Sequence, residues 1–158
     1  MSNSPRLTLF RHAHAESPVS GQGDHERSLS ARGVEEARAA GQWLAAQAAP
    51  QSVLVSSSRR TQETWEQARW NGAPAAQTES RIYEATPGQL LDILDAQGDA
   101  DVLLVGHNPG FEELVALLTS GVSGDHRGMP PGGIAVLSRP PGSAWEPACA
   151  TLLEFWSP

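Results

Sequence analysis

The sequence predicts an α/β fold, a three-layer α/β/α sandwich around a mostly parallel central sheet that finishes in a C-terminal hairpin. Three observations lead there. Short apolar runs of strand length recur along the chain, segments of helical period lie between the first four of them, and only a turn-rich stretch separates the last two. Strands that alternate with helices imply parallel pairing with both sheet faces covered.

The first run, residues 7–10, leads directly into Arg11 and His12 and then into a polar, glycine-bearing loop over residues 15–28. Ser30 is a good N-cap, and Val34, Ala37, Gly41, Leu44, Ala45 and Ala48 then share one helical face until Pro50 stops the helix. A second strand covers 52–55, and a second helix runs from about Arg59 to Trp70, ended by Asn71 and Gly72. The third strand is expected over 78–82. Thr86 and Pro87 open a third helix, with Leu90, Leu91 and Leu94 inward and Gly98 closing it. A fourth strand over 102–105 precedes a fourth helix that starts after Asn108 and Pro109, where Phe111, Leu114, Val115 and Leu118 keep the helical period. Residues 120–133 read as loop. Strands over 134–138 and 151–155, with Pro140, Pro141 and Gly142 turning between them, form the hairpin.

Bulk properties narrow the function. At 158 residues with 39% hydrophobic content, the chain suits one domain, residues 1–158, with one core. A net charge of −7 excludes nucleic acid or an anionic membrane as the main partner, because both call for a basic surface. No apolar leader and no run long enough to span a bilayer is visible, so the expected compartment is the cytoplasm. The single cysteine, Cys149, allows no internal disulfide and no thiolate cluster. Without a coiled-coil seam, a monomer is the expected state.

In a parallel sheet the ends of the first four strands lie along one edge, the usual place for chemistry in such folds. Those ends carry Arg11 and His12, then Ser56 to Arg60, then Glu84, then His107 and Asn108. An arginine fork suits phosphate oxygens, and a neutral histidine is a nucleophile or base near neutral pH. Phosphoryl transfer needs an in-line nucleophile, donors around the equatorial oxygens and an acid for the leaving group. One histidine could attack phosphorus while two arginines and the other histidine hold oxygens and Glu84 donates a proton. Such chemistry requires no metal and no cofactor.

These motifs resemble those of the histidine phosphatase superfamily. Its Arg-His-Gly or Arg-His-Ala strand end is matched by Arg11, His12 and Ala13, and its serine, arginine and threonine at four-residue spacing by Ser56, Arg60 and Thr64. Its second histidine matches Val105-Gly106-His107, and its acid position matches Glu84. Within the superfamily the chain looks like the short bacterial SixA-like phosphohistidine phosphatases. Glu26-Arg27-Ser28-Leu29-Ser30-Ala31-Arg32-Gly33 and Glu84-Ala85-Thr86-Pro87 carry that likeness, and only 22 residues lie between Glu84 and His107, too few for a large lid.

The resemblance implies a phosphoglycerate mutase-like fold in which His12 is the nucleophile and is transiently phosphorylated. Arg11, Arg60 and His107 then bind phosphoryl oxygens, and Glu84 is the proton donor. His14, Arg59 and Asn108 are candidates for the pocket rim, with Asp24, His25 and Glu26 beside them. Each has a plainer reading: Arg59 as a surface residue at a helix start, Asn108 as a helix cap, His14 as a loop residue without metal spacing. His126 is expected to be solvated, and the tryptophans to pack. Ala13 in place of glycine restricts the backbone that follows His12. An open pocket implies a phosphohistidine protein or another phosphoramidate as substrate. A small phosphomonoester is the alternative, and a non-catalytic phosphate-binding regulatory module is the reading outside enzymology.

Overall fold

The computed structural model describes residues 4–122 and 128–158. Among these, six strands form one sheet in the order β3-β2-β4-β1-β5-β6. The strands are β1 (Arg6–Arg11), β2 (Ser52–Val55), β3 (Ala76–Thr78), β4 (Val102–Gly106), β5 (Ile134–Ser138) and β6 (Thr151–Trp156). Four helices accompany them: α1 (Ala31–Ala45), α2 (Arg59–Ala68), α3 (Pro87–Asp95) and α4 (Gly110–Ser120). β1 to β4 pair in parallel, whereas β5 runs antiparallel to β1 and β6 antiparallel to β5.

Alternation along the strands builds the three layers. Leu7, Leu9, Val102 and Leu104 pack with Leu90, Leu94, Phe111 and Leu114 of α3 and α4. Their neighbours Phe10, Leu103 and Val105 point the other way, against Ala40, Leu44, Trp65 and Ala68 of α1 and α2. Side chains of successive strand residues face opposite sides, so a continuous apolar run fits a sheet covered on both faces. Each fully buried leucine or phenylalanine contributes about 1.5–3 kcal/mol.

Ser30 and Thr86 open their helices as expected, and Ser58 caps α2 as well. The Ser30 and Ser58 hydroxyls accept from the backbone of Gly33 and Thr61, and Thr86 with Gln89 forms a reciprocal capping box ahead of Pro87. Gly41 is a packing requirement, since a Cβ there would lie 2.0 Å from the Ala68 carbonyl where α1 crosses α2.

Two expectations are corrected. The run over 78–82 is not a strand: β3 ends at Thr78, and residues Ser80–Ile82 form a 3-10 turn that buries Ile82. Glu79 starts this turn by accepting from the Arg81 backbone, a local bond that competes with further pairing. Ala45 and Ala48 are exposed, and Ala40 takes the inward place, because the helical face drifts and α1 ends at Ala45. The C-terminal hairpin forms as expected, β5 and β6 pairing antiparallel across residues 139–150 with a turn at Pro141 and Gly142, and this connection buries Trp145. Of the loop over 120–133, residues 123–127 lie outside the described residues, and with them His126.

Candidate active site

Three neighbouring parallel strands end in register. Arg11 of β1 stands opposite Gly106 of β4, and Val55 of β2 opposite Val105, so His12, His107 and Ser56 emerge side by side. Backbone bonds secure them: His12 N–H donates to the Gly106 carbonyl at 2.9 Å, and Gly132 N–H donates to the His12 carbonyl at 3.0 Å. The two imidazoles lie with ring centroids 5.4 Å apart, both buried.

Arg60 enters from the first turn of α2 and is 6% exposed. Its Nε donates to His12 Nε2 and its Nη2 to His107 Nδ1, each at 3.4 Å. Hydrogen bonding then defines the tautomers. His12 Nδ1 donates to the Ala13 carbonyl at 2.7 Å, which leaves the Nε2 lone pair facing Arg60. His107 Nδ1 accepts from Arg60, so its Nε2–H points to the Ser56 hydroxyl at 2.8 Å.

Both imidazoles are held neutral. Burial comes first in pushing His12 down to about 4, with the charges of Arg60, Arg11 and Arg27 adding to it. Burial likewise leads for His107, which falls to about 3, followed by His12 and Arg60. Arg11 is half-buried at the end of β1, and its Nη1 donates to the Met129 carbonyl at 2.5 Å. Its buried Nε has no hydrogen-bond partner among the described residues. Burial also lowers the Arg11 pKa.

Thr64 explains its spacing from Arg60. Its hydroxyl accepts from the Ala13 backbone at 3.1 Å and donates to the Arg60 carbonyl at 2.7 Å, tying the chain after His12 to α2. Ala13 is buried with Leu29 and Ala37 and its φ is not positive, so a methyl group serves where a glycine would leave a gap.

An open cleft of about 460 Å³ is lined by Asp24, Arg60, Glu84, His107 and Asn108 among others. His12 and Arg11 are not in its lining, and His12 lies behind it in contact with Arg60 and His107. Glu84 reaches it from the turn after Ile82, with φ +57, a left-handed backbone that a non-glycine residue holds at a cost of about 1 kcal/mol or more. Its exposed carboxyl stands at the mouth. Asn108 caps α4 in function, its Oδ1 accepting from Glu112 N–H while Nδ2 donates to the Met129 carbonyl.

The other rim candidates go elsewhere. The Ser30 hydroxyl and His14 Nδ1 lie 2.7 Å apart, anchoring His14 at the start of α1, and Arg59 is exposed and pairs with Glu63 one turn along. Neither lines the cleft. Asp24 and Tyr83 belong to the site, although Tyr83 carries no motif of its own. The Tyr83 hydroxyl donates to Asp24 Oδ2 at 2.6 Å, and its ring stands edge-on to His107.

Two neutral buried imidazoles bridged by one guanidinium, with Glu84 lining the adjoining cleft, are groups that phosphoryl transfer can use. Residues 7–93 match the family model of the histidine phosphatase superfamily (branch 1), and the chain belongs to that superfamily. An uncharacterized protein from Mycobacterium tuberculosis is 38% identical over 163 residues, covering 94% of this chain and 99% of that protein. Among solved structures, one assigned as phosphohistidine phosphatase SixA from Nakamurella multipartitia is 30% identical with a TM-score of 0.83, covering 99% of this chain and 98% of its own. A protein histidine phosphatase SixA complexed with tungstate is 25% identical with a TM-score of 0.79, covering 96% of both chains. The chain is therefore a SixA-like member of the superfamily, with a mixed α/β, phosphoglycerate mutase-like fold.

Proposed function

We propose that the protein is a metal-independent phosphatase that removes phosphoryl groups from phosphohistidine in proteins, or from a related phosphoramidate, through a covalent intermediate on His12. The observation that carries this reading is the neutral His12 imidazole, with its Nε2 lone pair turned to Arg60 and its Nδ1–H tied to Ala13. A nucleophile so held needs no base to activate it.

In the first half-reaction His12 Nε2 attacks phosphorus, the bond to the leaving nitrogen or oxygen breaks, and Glu84 supplies the proton that group takes up. Arg11, Arg60 and His107 hold the three phosphoryl oxygens. An oxygen at His107 Nδ1 calls for a proton there, and the arriving dianion raises that imidazole's pKa, so binding takes up a proton. In the second half-reaction water attacks the phosphoryl group, the bond to His12 Nε2 breaks, and Glu84 recovers the proton. Tungstate, a phosphate-like oxyanion, is bound in the SixA structure named above, and the same chemistry fits this pocket.

The open cleft supports a phosphorylated side chain still attached to its protein over a small substrate that a lid would retain. Purified protein is to be assayed on a phosphohistidine peptide, a phosphoramidate, 4-nitrophenyl phosphate and sugar phosphates, with and without EDTA. The expected order places phosphohistidine first by kcat/KM, unaffected by EDTA, with a phosphoenzyme trapped by rapid quench. Failure to hydrolyse any of them removes the enzyme reading, and loss on chelation removes the metal-independent one. Glu84→Gln is expected to lower kcat about 100-fold, most for substrates whose leaving group must be protonated.

A further inference from the structure

The guanidinium of Arg60 is divided between two tasks. Its side edge, Nε and Nη2, faces His12 and His107 at 3.4 Å each. Its end edge, Nη1 and Nη2, is taken by a single residue: Asp24 receives Nη1 on its backbone carbonyl at 2.8 Å and Nη2 on Oδ2 at 3.0 Å. Asp24 sits in a single 3-10 turn, Asp24–Glu26, at the end of the polar loop that follows His12. Its carboxylate is engaged on both oxygens, with Tyr83 donating to Oδ2 at 2.6 Å and Arg27 Nε 3.6 Å from Oδ1. The Tyr83 bond is the leading cause of its lowered pKa, ahead of Arg60, which keeps it ionised.

We infer that Asp24 is a positioning residue for phosphoryl transfer: it clamps the end edge of Arg60 so that Nε and Nη2 are presented to the phosphoryl oxygens between the two histidines. Tyr83 is the second member, fixing the carboxylate. The inference rests on the reading of Arg60 as a phosphoryl ligand. An arginine stem has many rotamers, and a planar fork is useful to an in-line reaction only in one orientation. Two acceptors from one residue set that orientation, and the division of edges means that the phosphoryl group need not displace Asp24.

The test is a double-mutant cycle on Asp24 and Arg60 in the full chain, with Asp24→Asn and Tyr83→Phe alongside. Two readouts are taken: kcat on the phosphohistidine peptide, and tungstate affinity by calorimetry. Asp24→Ala is expected to lower kcat about 10- to 100-fold and to weaken tungstate. Asp24→Asn, which keeps an acceptor for Nη2, is expected to recover part of that loss, and Tyr83→Phe to lose less than Asp24→Ala. In an Arg60→Ala background, Asp24→Ala is expected to cost nothing further, which a residue that only supports the loop would not show. An equal loss in both backgrounds overturns the inference, and so does tighter tungstate binding by Asp24→Ala, which would make Asp24 a plug. A tungstate cycle that is non-additive in a protein without turnover keeps the inference and removes the phosphatase reading. An additive cycle in an active enzyme does the reverse. A wild-type chain that neither binds tungstate nor hydrolyses phosphohistidine removes both.

Discussion

Two buried arginines, Arg60 and Arg139, stand at opposite ends of the sheet in nearly the same surroundings. Arg60 pairs with Asp24, donates to a backbone carbonyl and lies over the Tyr83 ring at 5.9 Å. Arg139 pairs with Asp99, donates to the carbonyls of Gly98 and Pro140 and lies over the Trp145 ring at 5.0 Å. What separates them is the remaining edge. Arg60 turns it to two neutral imidazoles beside a cleft, whereas Arg139 closes the turns around Gly98 and Pro140 at the far end. The remaining donors of Arg60 meet weak acceptors in a concave site, which makes that cation available to a ligand, whereas the Nη groups of Arg139 are held by carbonyls and its buried Nε has no hydrogen-bond partner among the described residues.

That contrast can be broken in descending steps. His12→Ala is expected to remove the phosphoenzyme and lower kcat/KM by at least about 10⁴-fold, with the fold retained by circular dichroism. A trapped phosphoenzyme in this variant would move the nucleophile elsewhere. Next, Arg60→Ala and Arg139→Ala should diverge. The first is expected to lose about 100- to 1,000-fold in kcat with little change in Tm. The second should keep kcat and lose about 1–3 kcal/mol in urea unfolding, a figure reduced because Asp99 is half exposed. Similar losses of activity in both would erase the distinction.

The pH dependence of stability sharpens the same comparison. His12 and His107 titrate at about 4 and 3 in the folded chain, below the usual value near 6.5. The unfolded chain therefore binds protons that the folded chain refuses. Stability contributed by the neutral pair is full above pH 6.5, falls as pH drops toward 4 and 3, and levels off below. In a His12→Gln, His107→Gln double variant this part of the slope should vanish from urea midpoints measured between pH 7 and 4. Persistence of the full slope would place the titrating groups elsewhere. The smallest effect belongs to Arg59→Ala, expected to change stability by less than about 0.5 kcal/mol and kcat hardly at all, since its pairing with Glu63 is exposed. A clear loss of kcat would return Arg59 to the pocket.

The elements differ in how well they could be read. Ser30 and Thr86 mark helix starts through local hydrogen bonds, so a linear pattern suffices to find them, whereas Ser58 and Gly121 act as locally at the ends of α2 and α4 but are not among the caps predicted from sequence. The stretch over 78–82 misled because its apolar Ile82 is buried by α3 and α4 and not by strand pairing. Arg11, His12, Arg60, Glu84 and His107 were legible as residue types at strand and helix ends. Their neutral histidines were less so. Burial is the larger cause of their neutrality, ahead of the charges of the arginines, and burial is a property of the packed chain.

By itself, the sequence determined the order of strands and helices, the parallel character of the first four strands and the set of groups able to perform phosphoryl chemistry. These follow from periodicity, caps and residue type, which act over a few neighbouring positions. The tertiary structure alone decided that Ser56, His107 and His12 stand abreast, and that Asp24 and Tyr83 hold the end of Arg60. It also decided that His14 and Arg59 turn away from the cleft. Asp24 and Arg60 are 36 positions apart, and Tyr83 and Asp24 are 59. Contacts at such separations form only when the sheet brings its loops to a common edge, and no local pattern records them.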